Sequence, residues 1–181
     1  MAEASTAEPF DLLLDIEQRC QQNAADLPAP SESDQQWVGV GFRVGNDTLV
    51  ARMGEVKEIL DLPDYTTVPG VQSWVIGVAN VRGSLLPMFD MKGFLLGEDI
   101  EQRHKGRVIV IDYKGFDTGL VVEEVFGLRH FQMKEKTEEL PPMSDRVAPF
   151  IDCAFKRESE HWPIFSFRQM ARDERFSKAS L

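Results

Sequence analysis

The sequence predicts a mainly β fold, either a barrel or a sandwich, with helices only near its two ends. About ten short runs of apolar and β-branched residues follow one another along the chain, separated by Gly, Asn, Asp and Pro. Apolar side chains at helical spacing occur only in the first and last parts of the sequence. Because the strands do not alternate with helices, the pattern argues against a parallel α/β layout.

Composition limits the class of partner and the compartment. The 181 residues include 30 acidic and 20 basic side chains, and the net charge of −10 opposes binding to nucleic acid or anionic lipid. Cys20 and Cys153 lie far apart without a Cys-x-x-Cys motif, which fits a reducing cytosol. The chain shows no signal peptide, and no apolar run reaches the ~18 residues that cross a bilayer. We expect a cytoplasmic protein with no nucleic-acid partner and no direct membrane insertion.

The chain opens with a predicted amphipathic helix from Pro9 to about Ala25, since proline suits the first turn of a helix. Its apolar stripe packs either on the protein's own barrel or on a partner, and the sequence leaves both alternatives open. Residues 1–8 are expected to fray, and the Pro- and Ser-containing stretch 27–36 has the composition of a linker, so residues 1–36 form an N-terminal extension. The stripe consists of Phe10, Leu13, Ile16 and Cys20.

The first predicted hairpin joins Trp37–Val44 to Thr48–Met53 through Gly45-Asn46-Asp47, residues that tolerate positive φ. Within it, Gly39-x-Gly41 matches the start of a dinucleotide-binding fingerprint. That fingerprint must lead into a helix, whereas this run ends in a turn, so we predict no nucleotide site here. The stretch 55–60 is predicted as a short extended or turn-rich piece, and 61–69 as a loop.

The most specific stretch lies between Val68 and Gly97. Two apolar runs, 75–81 and 85–91, are interrupted by Arg82-Gly83, which predicts two strands meeting at a sharp bend with Gly83 supplying backbone freedom. Pro87 cannot donate a ladder hydrogen bond, so the second strand is expected at a sheet edge or a bulge.

Two charged residues of this stretch need partners. The guanidinium of Arg82 interrupts an apolar segment, so we expect it either at the rim or paired with a carboxylate. Asp90 ends a predicted strand, and an acid at that position most often caps the following turn, here near Gly93.

The rest of the chain continues the β pattern. Ser166 is expected to cap a closing helix from Phe167 to about Arg175, and the tail from Phe176 to Leu181 to fray. The remaining predicted strands are Arg107–Tyr113, Thr118–Val125, Phe126–Met133, Ala148–Lys156 and His161–Phe167, and the first two form a hairpin around Lys114-Gly115.

No stretch carries the signature of catalysis. His104, His130 and His161 are isolated, without carboxylates or thiols at metal-ligand spacing, so no metal site is predicted. The sequence has neither a Gly-x-Ser-x-Gly elbow nor a phosphate-binding loop. We therefore expect no catalytic residues, no metal and no cofactor, and a protein that works through its surfaces.

The most specific stretch resembles the signature of the CheW-like family, the coupling proteins of bacterial chemosensory arrays. The resemblance lies in Gly77-Val-Ala-Asn-Val-Arg-Gly83, followed by Leu86-Pro87 and Asp90-Met91, and it is supported by the flanking stretches 55–59 and 119–125. Three further stretches resemble the coupling proteins of type IV pilus (twitching) systems in particular: Phe10–Cys20, Gly93–Gly97 and Glu138–Pro142.

This resemblance implies a fold of two five-stranded SH3-like barrels that share a core. The CheW-like domain is expected over residues 37–172, with one lobe at roughly 50–100, the other at roughly 107–147, terminal strands crossing between them, and residues 173–181 as a tail.

The resemblance also implies the residues of a site. Val56, Glu58, Gly77 and Arg82 are the implied receptor- and kinase-binding positions, with Arg82 paired to Glu58. Lys92 stands where the family has arginine, and lysine cannot make a bidentate contact, so a partner salt bridge at that position is in doubt. The residues of the signature expected to be structural are Asn80, Gly83, Pro87 and Asp90.

The implied function is that of a non-enzymatic adaptor. It would join the cytoplasmic tip of a chemoreceptor to the regulatory domain of a CheA-like histidine kinase, in a membrane-associated array controlling twitching motility. Two alternatives remain open at this point. One is a coupling protein of flagellar chemotaxis, and the other is a double-barrel protein that binds a small ligand in the groove between its lobes.

Overall fold

The computed structural model describes residues 9–22, 36–98, 100, 105–113 and 115–178. The chain divides into two compact units, Met1–Asp34 and Gln35–Leu181. In the first unit, helix α1 spans Pro9–Gln22, which confirms the predicted N-terminal helix. The predicted fraying segment 1–8 and the linker, apart from its last residue, lie outside the described residues.

The second unit is built from strands arranged in two six-stranded sheets. The first sheet has the order β10-β11-β12-β2-β1-β9, and the second has the order β3-β7-β8-β6-β5-β4. The strands are β1 (Gln36–Val44), β2 (Asp47–Arg52), β3 (Glu58–Asp61), β4 (Tyr65–Thr66), β5 (Val75–Val81), β6 (Ser84–Asp90), β7 (Arg107–Tyr113), β8 (Phe116–Val122), β9 (Glu124–Gln132), β10 (Lys136–Thr137), β11 (Ile151–Arg157) and β12 (Glu160–Phe165).

Each sheet contains five longer strands and one strand of only two residues, β10 in the first sheet and β4 in the second. The prediction of a mainly β fold with two five-stranded lobes is therefore confirmed. The helices among the described residues of this unit are short: α2 (Met91–Leu96), α3 (Phe167–Arg172) and α4 (Glu174–Ser177), with 3-10 turns at Met53–Glu55, Met133–Glu135 and Ala148–Phe150.

The predicted division between the lobes is wrong at Arg107. Strands β7 and β8 belong to the second sheet, because β8 pairs in parallel with β6 through Met88 and Gly119 and antiparallel with β7. The chain changes sheet at Glu123, whose N–H donates to the carbonyl of Arg43 at 3.3 Å. Of the strands predicted for the lobe at 107–147, β9 and β10 lie in the first sheet. They share it with β1 and β2 from the start of the unit and with β11 and β12 from its end.

One apolar core lies between the sheets and receives side chains from both. Along β8 the side chains alternate, so that Leu120 enters this shared core while Val121 enters a second cluster on the opposite face. The first sheet has its own cluster on its opposite face as well, built around Phe131 and Phe155. Each sheet therefore has one face in the shared core and encloses a smaller core with the other.

The C-terminal helix differs from its prediction. Ser166 caps α3 as expected, accepting a hydrogen bond from the Gln169 N–H at 3.3 Å. The helix ends at Arg172, however, and Asp173 caps a further turn, α4.

The tail expected to fray is corrected at its start, because Phe176 is only 3% exposed in the shared core, while residues 179–181 lie outside the described residues. Its ring stacks on that of Trp74 at 5.8 Å and meets those of Phe89 and Phe94. The core therefore extends beyond the predicted domain end at 172. The sequence did not indicate this, because Phe176 is surrounded by polar residues in the tail.

Candidate partner-binding site

The predicted bend of the signature stretch is a two-residue hairpin turn. Strands β5 and β6 pair antiparallel up to Val81 and Ser84, and the residues between them, Arg82 and Gly83, have φ values of +52° and +86°. Two consecutive positive φ values define the turn type that matches the twist of paired strands. The side chain of Asn80 accepts a hydrogen bond from the Gly83 N–H at 3.0 Å, so this asparagine and glycine build the turn.

Arg82 and Glu58 form the pair that the resemblance implies. Arg82 Nη2 lies 2.6 Å from Glu58 Oε1, and Nη1 lies 3.2 Å from Oε2, so the contact is bidentate. The side chain of Arg82 is 76% exposed and that of Glu58 is 35% exposed. An exposed pair contributes about 0–1 kcal/mol to stability, so this contact orients the guanidinium more than it holds the fold together.

The pair also shows how strongly the second sheet curls. Glu58 lies on the edge strand β3, and in the sheet order three strands separate β3 from β5. The cluster inside this curl includes Leu60 of β3 together with Ala79 and Leu86 of the hairpin. The ion pair therefore joins the edge strand β3 to the β5–β6 turn across the curled second sheet.

Gly77 lies in a different environment from the ion pair. It is buried in β5, and a Cβ there would lie 2.2 Å from the carbonyl oxygen of Thr66 on β4. Its φ of +151° and the irregular register beside it also favour glycine. The structure gives Gly77 an architectural role in bringing β4 against β5, and its implied contact with a partner stays a prediction.

Val56 is half-buried and packs against the shared core. Its N–H donates to the carbonyl of Met53 at 3.1 Å and closes the 3-10 turn that leads into β3. Two residues later comes Glu58, so Val56 fixes the start of the strand that carries the glutamate. Of the four implied binding residues, the structure brings Glu58 and Arg82 into direct contact.

A family model described as a CheW-like domain matches residues 38–175. The chain belongs to the CheW-like family. The protein PilI of Pseudomonas aeruginosa is 48% identical over 168 residues, which cover 93% of this chain and 94% of PilI. The chemotaxis protein CheW of Bacillus subtilis is 31% identical over 83 residues, covering 46% of this chain and 53% of that protein.

Among solved structures, the scaffolding protein TtCheW from Thermoanaerobacter tengcongensis superimposes with a TM-score of 0.62. The match covers 72% of this chain and 89% of that chain, at 19% sequence identity. This likeness confirms the CheW-like fold predicted from the signature stretch.

Asp90 marks the opposite end of β6 from the turn, and it is fully buried. Its Oδ1 accepts from the Gly93 N–H at 2.9 Å and caps α2, while Oδ2 accepts from the Ile100 N–H at 3.2 Å. This CheW-like signature acid therefore serves the fold through backbone hydrogen bonds.

Pro87 does not put β6 at a sheet edge, because β6 lies between β5 and β8. The first expected alternative, an edge strand, is therefore wrong, whereas the second, a bulge, has a counterpart in the register irregularity between Val75 and Gly77 of the paired strand β5. Pairing between β6 and β8 begins only at Met88, one residue after the proline. An interior strand tolerates Pro87 because the second ladder starts beyond it.

Lys92, at the position where the resemblance implies an arginine, is only 15% exposed. Its Nζ lies 3.5 Å from a carboxylate oxygen of Glu98 and 3.8 Å from one of Glu123. The lysine is engaged with acids of its own chain.

Two exposed apolar side chains were missed by the sequence analysis. Leu85, on the β6 side of the turn, and Phe116, at the start of β8, are each 74% exposed. Each lies beside a hairpin turn of the second sheet, since Leu85 pairs with Asn80 next to the Arg82 turn and Phe116 pairs with Tyr113 next to the turn between β7 and β8. The sequence pair Leu85-Leu86 could have indicated the exposed leucine. Two successive strand residues face opposite sides of a sheet, so if Leu86 is in the core inside the second sheet, Leu85 is not.

The described residues contain no group of three His, Cys, Asp or Glu side chains arranged to hold a metal ion. Of the three histidines, His104 lies outside the described residues. Helices long and apolar enough to span a membrane are absent from the described part of the chain.

Proposed function

We propose that this protein is a non-enzymatic adaptor that couples the cytoplasmic tip of a chemoreceptor to the regulatory domain of a CheA-like histidine kinase. The array it serves controls type IV pili, and the protein joins the membrane there through the receptors. The observation that carries this proposal is the 48% identity to PilI along almost the whole of both chains.

The geometry of the turn supports a binding role. A guanidinium has five N–H donors, and the two hydrogen bonds to Glu58 leave the others directed outward from a side chain that is 76% exposed. Because Glu58 already fixes the orientation of Arg82, a partner carboxylate or carbonyl meets a preorganised group. Leu85 adds exposed apolar area within three residues of it.

The pilus system is favoured over flagellar chemotaxis by the extent of the matches. The identity to the Bacillus subtilis CheW is lower and covers about half of each chain, whereas the identity to PilI covers more than nine tenths. Deletion of the gene should therefore abolish twitching and leave swimming intact in a strain that does both. Loss of swimming with normal twitching would assign the protein to the flagellar pathway.

The adaptor role is tested by affinity capture. Tagged wild type, Arg82→Ala and Lys156→Ala are used to capture proteins from native cytoplasm and detergent-extracted membranes. Lys156 is a matched control, since it forms an exposed ion pair with Glu139 at 3.0 Å in the other sheet. Circular dichroism establishes that all three proteins are folded.

We expect wild type and Lys156→Ala to recover a chemoreceptor and a histidine kinase, and Arg82→Ala to lose at least one of them. If folded wild type recovers neither, the adaptor proposal fails. If all three recover both partners equally, the adaptor role stands and the assignment of Arg82 to the binding surface is wrong.

A further inference from the structure

The apolar stripe of helix α1 is exposed to solvent. Phe10 is 70% exposed, Leu13 63% and Ile16 48%, and Leu14 beside them is 42% exposed. Cys20, the last residue of the stripe, is exposed as well. Because these side chains follow one another at helical spacing, they form a continuous apolar face along about three turns.

Helix α1 is also short, with 14 residues. Isolated helices of about 12–15 residues are only marginally stable in water, and most helical stability in proteins comes from packing an apolar face. Contiguous exposed apolar surface on a protein commonly marks an interaction site. The helix therefore has the properties of a segment that is stabilised by packing on a partner.

The negative charge of the chain is concentrated in the same segment. Residues 1–34, the first unit, contain eight acidic residues and one basic residue, which gives them a net charge of −7. The other 147 residues contain 22 acidic and 19 basic side chains and carry a net charge of only −3. The one basic residue of the first unit, Arg19, has its Nη2 2.5 Å from Oδ2 of Asp15 in an i,i+4 ion pair. A partner of the helix thus meets an apolar face in a strongly acidic segment.

This charge disfavours three occupants of the apolar face. A second copy of the chain would bring two segments of charge −7 together, and like charges repel. Helices that lie on membranes carry lysine and arginine on their polar face, whereas this segment is acidic and is repelled by anionic lipid. The remainder of the chain, with its net charge of −3, has no positive excess to attract the helix. The complementary surface is an apolar groove with a basic rim on another protein.

The helix is additional to the CheW-like domain. The match to that domain covers residues 38–175 and does not include α1. The match to PilI extends over 168 of the 181 residues, so the 13 residues that it omits are too few to exclude most of the helix. The similarity to PilI therefore extends to a segment outside the CheW-like domain.

We propose that α1 docks into a groove of a partner protein, with Phe10, Leu13 and Ile16 on an apolar floor and with lysine and arginine side chains of the partner at the rim. The apolar face supplies the affinity, and the acidic residues select the partner and speed the encounter. The proposal is independent of the adaptor function, because it concerns residues outside the domain that carries Arg82.

Photo-crosslinking in living cells identifies the partner and its chemistry. The full chain carries p-benzoylphenylalanine in place of Ile16, or in place of Gln18 as a control. Gln18 is exposed and lies two residues further on, at roughly the opposite side of the helix. Mass spectrometry identifies the peptide joined to the probe. We expect position 16, and not position 18, to crosslink to one protein, through a peptide whose apolar residues are flanked by lysine or arginine.

The crosslinked protein is then purified and titrated with the full chain by calorimetry. Leu13→Ser should weaken binding about tenfold or more, and Gln18→Ser should bind as wild type does. Binding should weaken between about 50 mM and about 300 mM salt, because charges attract the two surfaces. The double variant Asp11→Asn with Glu17→Gln should show a smaller salt dependence, because part of that charge is removed. Circular dichroism compares the helix content of the variants.

Several results would overturn the proposal. Crosslinks to residues 35–181 of the same chain would place the helix on its own domain, and crosslinks between two copies would make it a dimer contact. Crosslinks to lipid alone, or no crosslinks at all, would mean that the helix has no protein partner. A partner peptide without lysine or arginine, or equal binding of wild type and Leu13→Ser, would contradict the proposed groove.

The outcome is separable from that of the adaptor proposal. If wild type captures neither a chemoreceptor nor a histidine kinase, the adaptor proposal fails, and the crosslinks from position 16 still decide whether α1 has a partner. If wild type captures both and position 16 gives no crosslink, the adaptor proposal stands and the docking role of α1 is wrong.

Discussion

The two ends of β6 carry opposite charges of one signature stretch, and they serve different purposes. At the turn end, Arg82 is 76% exposed and bonded to a carboxylate that is itself partly exposed. At the other end, Asp90 is fully buried and bonded to backbone N–H groups. The exposed charge can be removed at little cost to the fold, whereas the buried one cannot. The signature stretch therefore combines a buried charge that builds the domain with an exposed charge that is accessible to a partner.

Residues packed around the buried end of β6 should be more sensitive to substitution than those at the turn. The largest effect is expected for Phe176→Ala, because Phe176 contacts Phe89 of β6, the neighbour of Asp90. Phe176 packs on Trp74, Phe89 and Phe94 in the shared core, and truncating a buried phenylalanine typically costs about 3–5 kcal/mol. Urea unfolding measures the loss. A cost below about 1 kcal/mol would mean that the C-terminal turn does not belong to the core.

Asp90→Ala should follow, with a loss of about 2–4 kcal/mol, because it removes the cap of α2 and leaves the Gly93 and Ile100 N–H groups without that acceptor. Asp90→Asn keeps one side-chain oxygen for the cap and should cost less. Equal losses in the two variants, measured by urea unfolding, would show that the negative charge matters more than the cap.

The pH dependence of stability should report on Asp173, which caps α4. A side-chain hydrogen bond from Arg175 lowers the pKa of Asp173 below its ordinary value. A carboxyl whose pKa is lower in the folded state stabilises the fold at neutral pH, and this contribution is lost as the pH falls through that pKa.

Asp173→Asn keeps an oxygen for the cap but cannot titrate. Between about pH 6 and about pH 3, wild type should therefore lose more unfolding free energy than Asp173→Asn. Parallel losses in the two proteins would show that Asp173 does not contribute to the acid sensitivity.

The smallest effect on stability is expected for Arg82→Ala, at or below about 1 kcal/mol, because exposed ion pairs contribute little. Thermal or urea unfolding of this variant beside Glu58→Gln checks the value. A loss as large as that of Asp90→Ala would place Arg82 among the residues that build the domain, and the contrast between the two ends of β6 would disappear.

Local chemistry made the turn and the cap predictable from sequence. Gly83 and the position of Arg82 between two apolar runs specify a bend, and an acid at a strand end specifies a cap. The pairing of Arg82 with Glu58 was reached through the family resemblance, since nothing within either segment points to the other.

Features that depend on distant segments were not predictable in this way. The assignment of β7 and β8 to the second sheet depends on the parallel pairing of β6 with β8, which leaves no local pattern. Likewise, the stacking of Phe176 on Trp74 joins residues that are far apart in the sequence. The prediction of an edge strand from Pro87 was wrong for the same reason. Whether an interior strand can contain a proline depends on where its pairing with the neighbouring strand begins.

The measurement that tests the central claim most directly is the affinity of a purified chemoreceptor cytoplasmic fragment for wild type, Arg82→Ala and Lys156→Ala by titration calorimetry. Unfolding curves are recorded on the same samples. Because Arg82 is exposed, we expect the stability of Arg82→Ala to stay within about 1 kcal/mol of that of wild type. We expect Arg82→Ala to bind the receptor fragment about tenfold or more weakly, and Lys156→Ala to bind it as wild type does. Unchanged affinity in a folded Arg82→Ala protein would contradict the claim that this end of the strand is a binding surface.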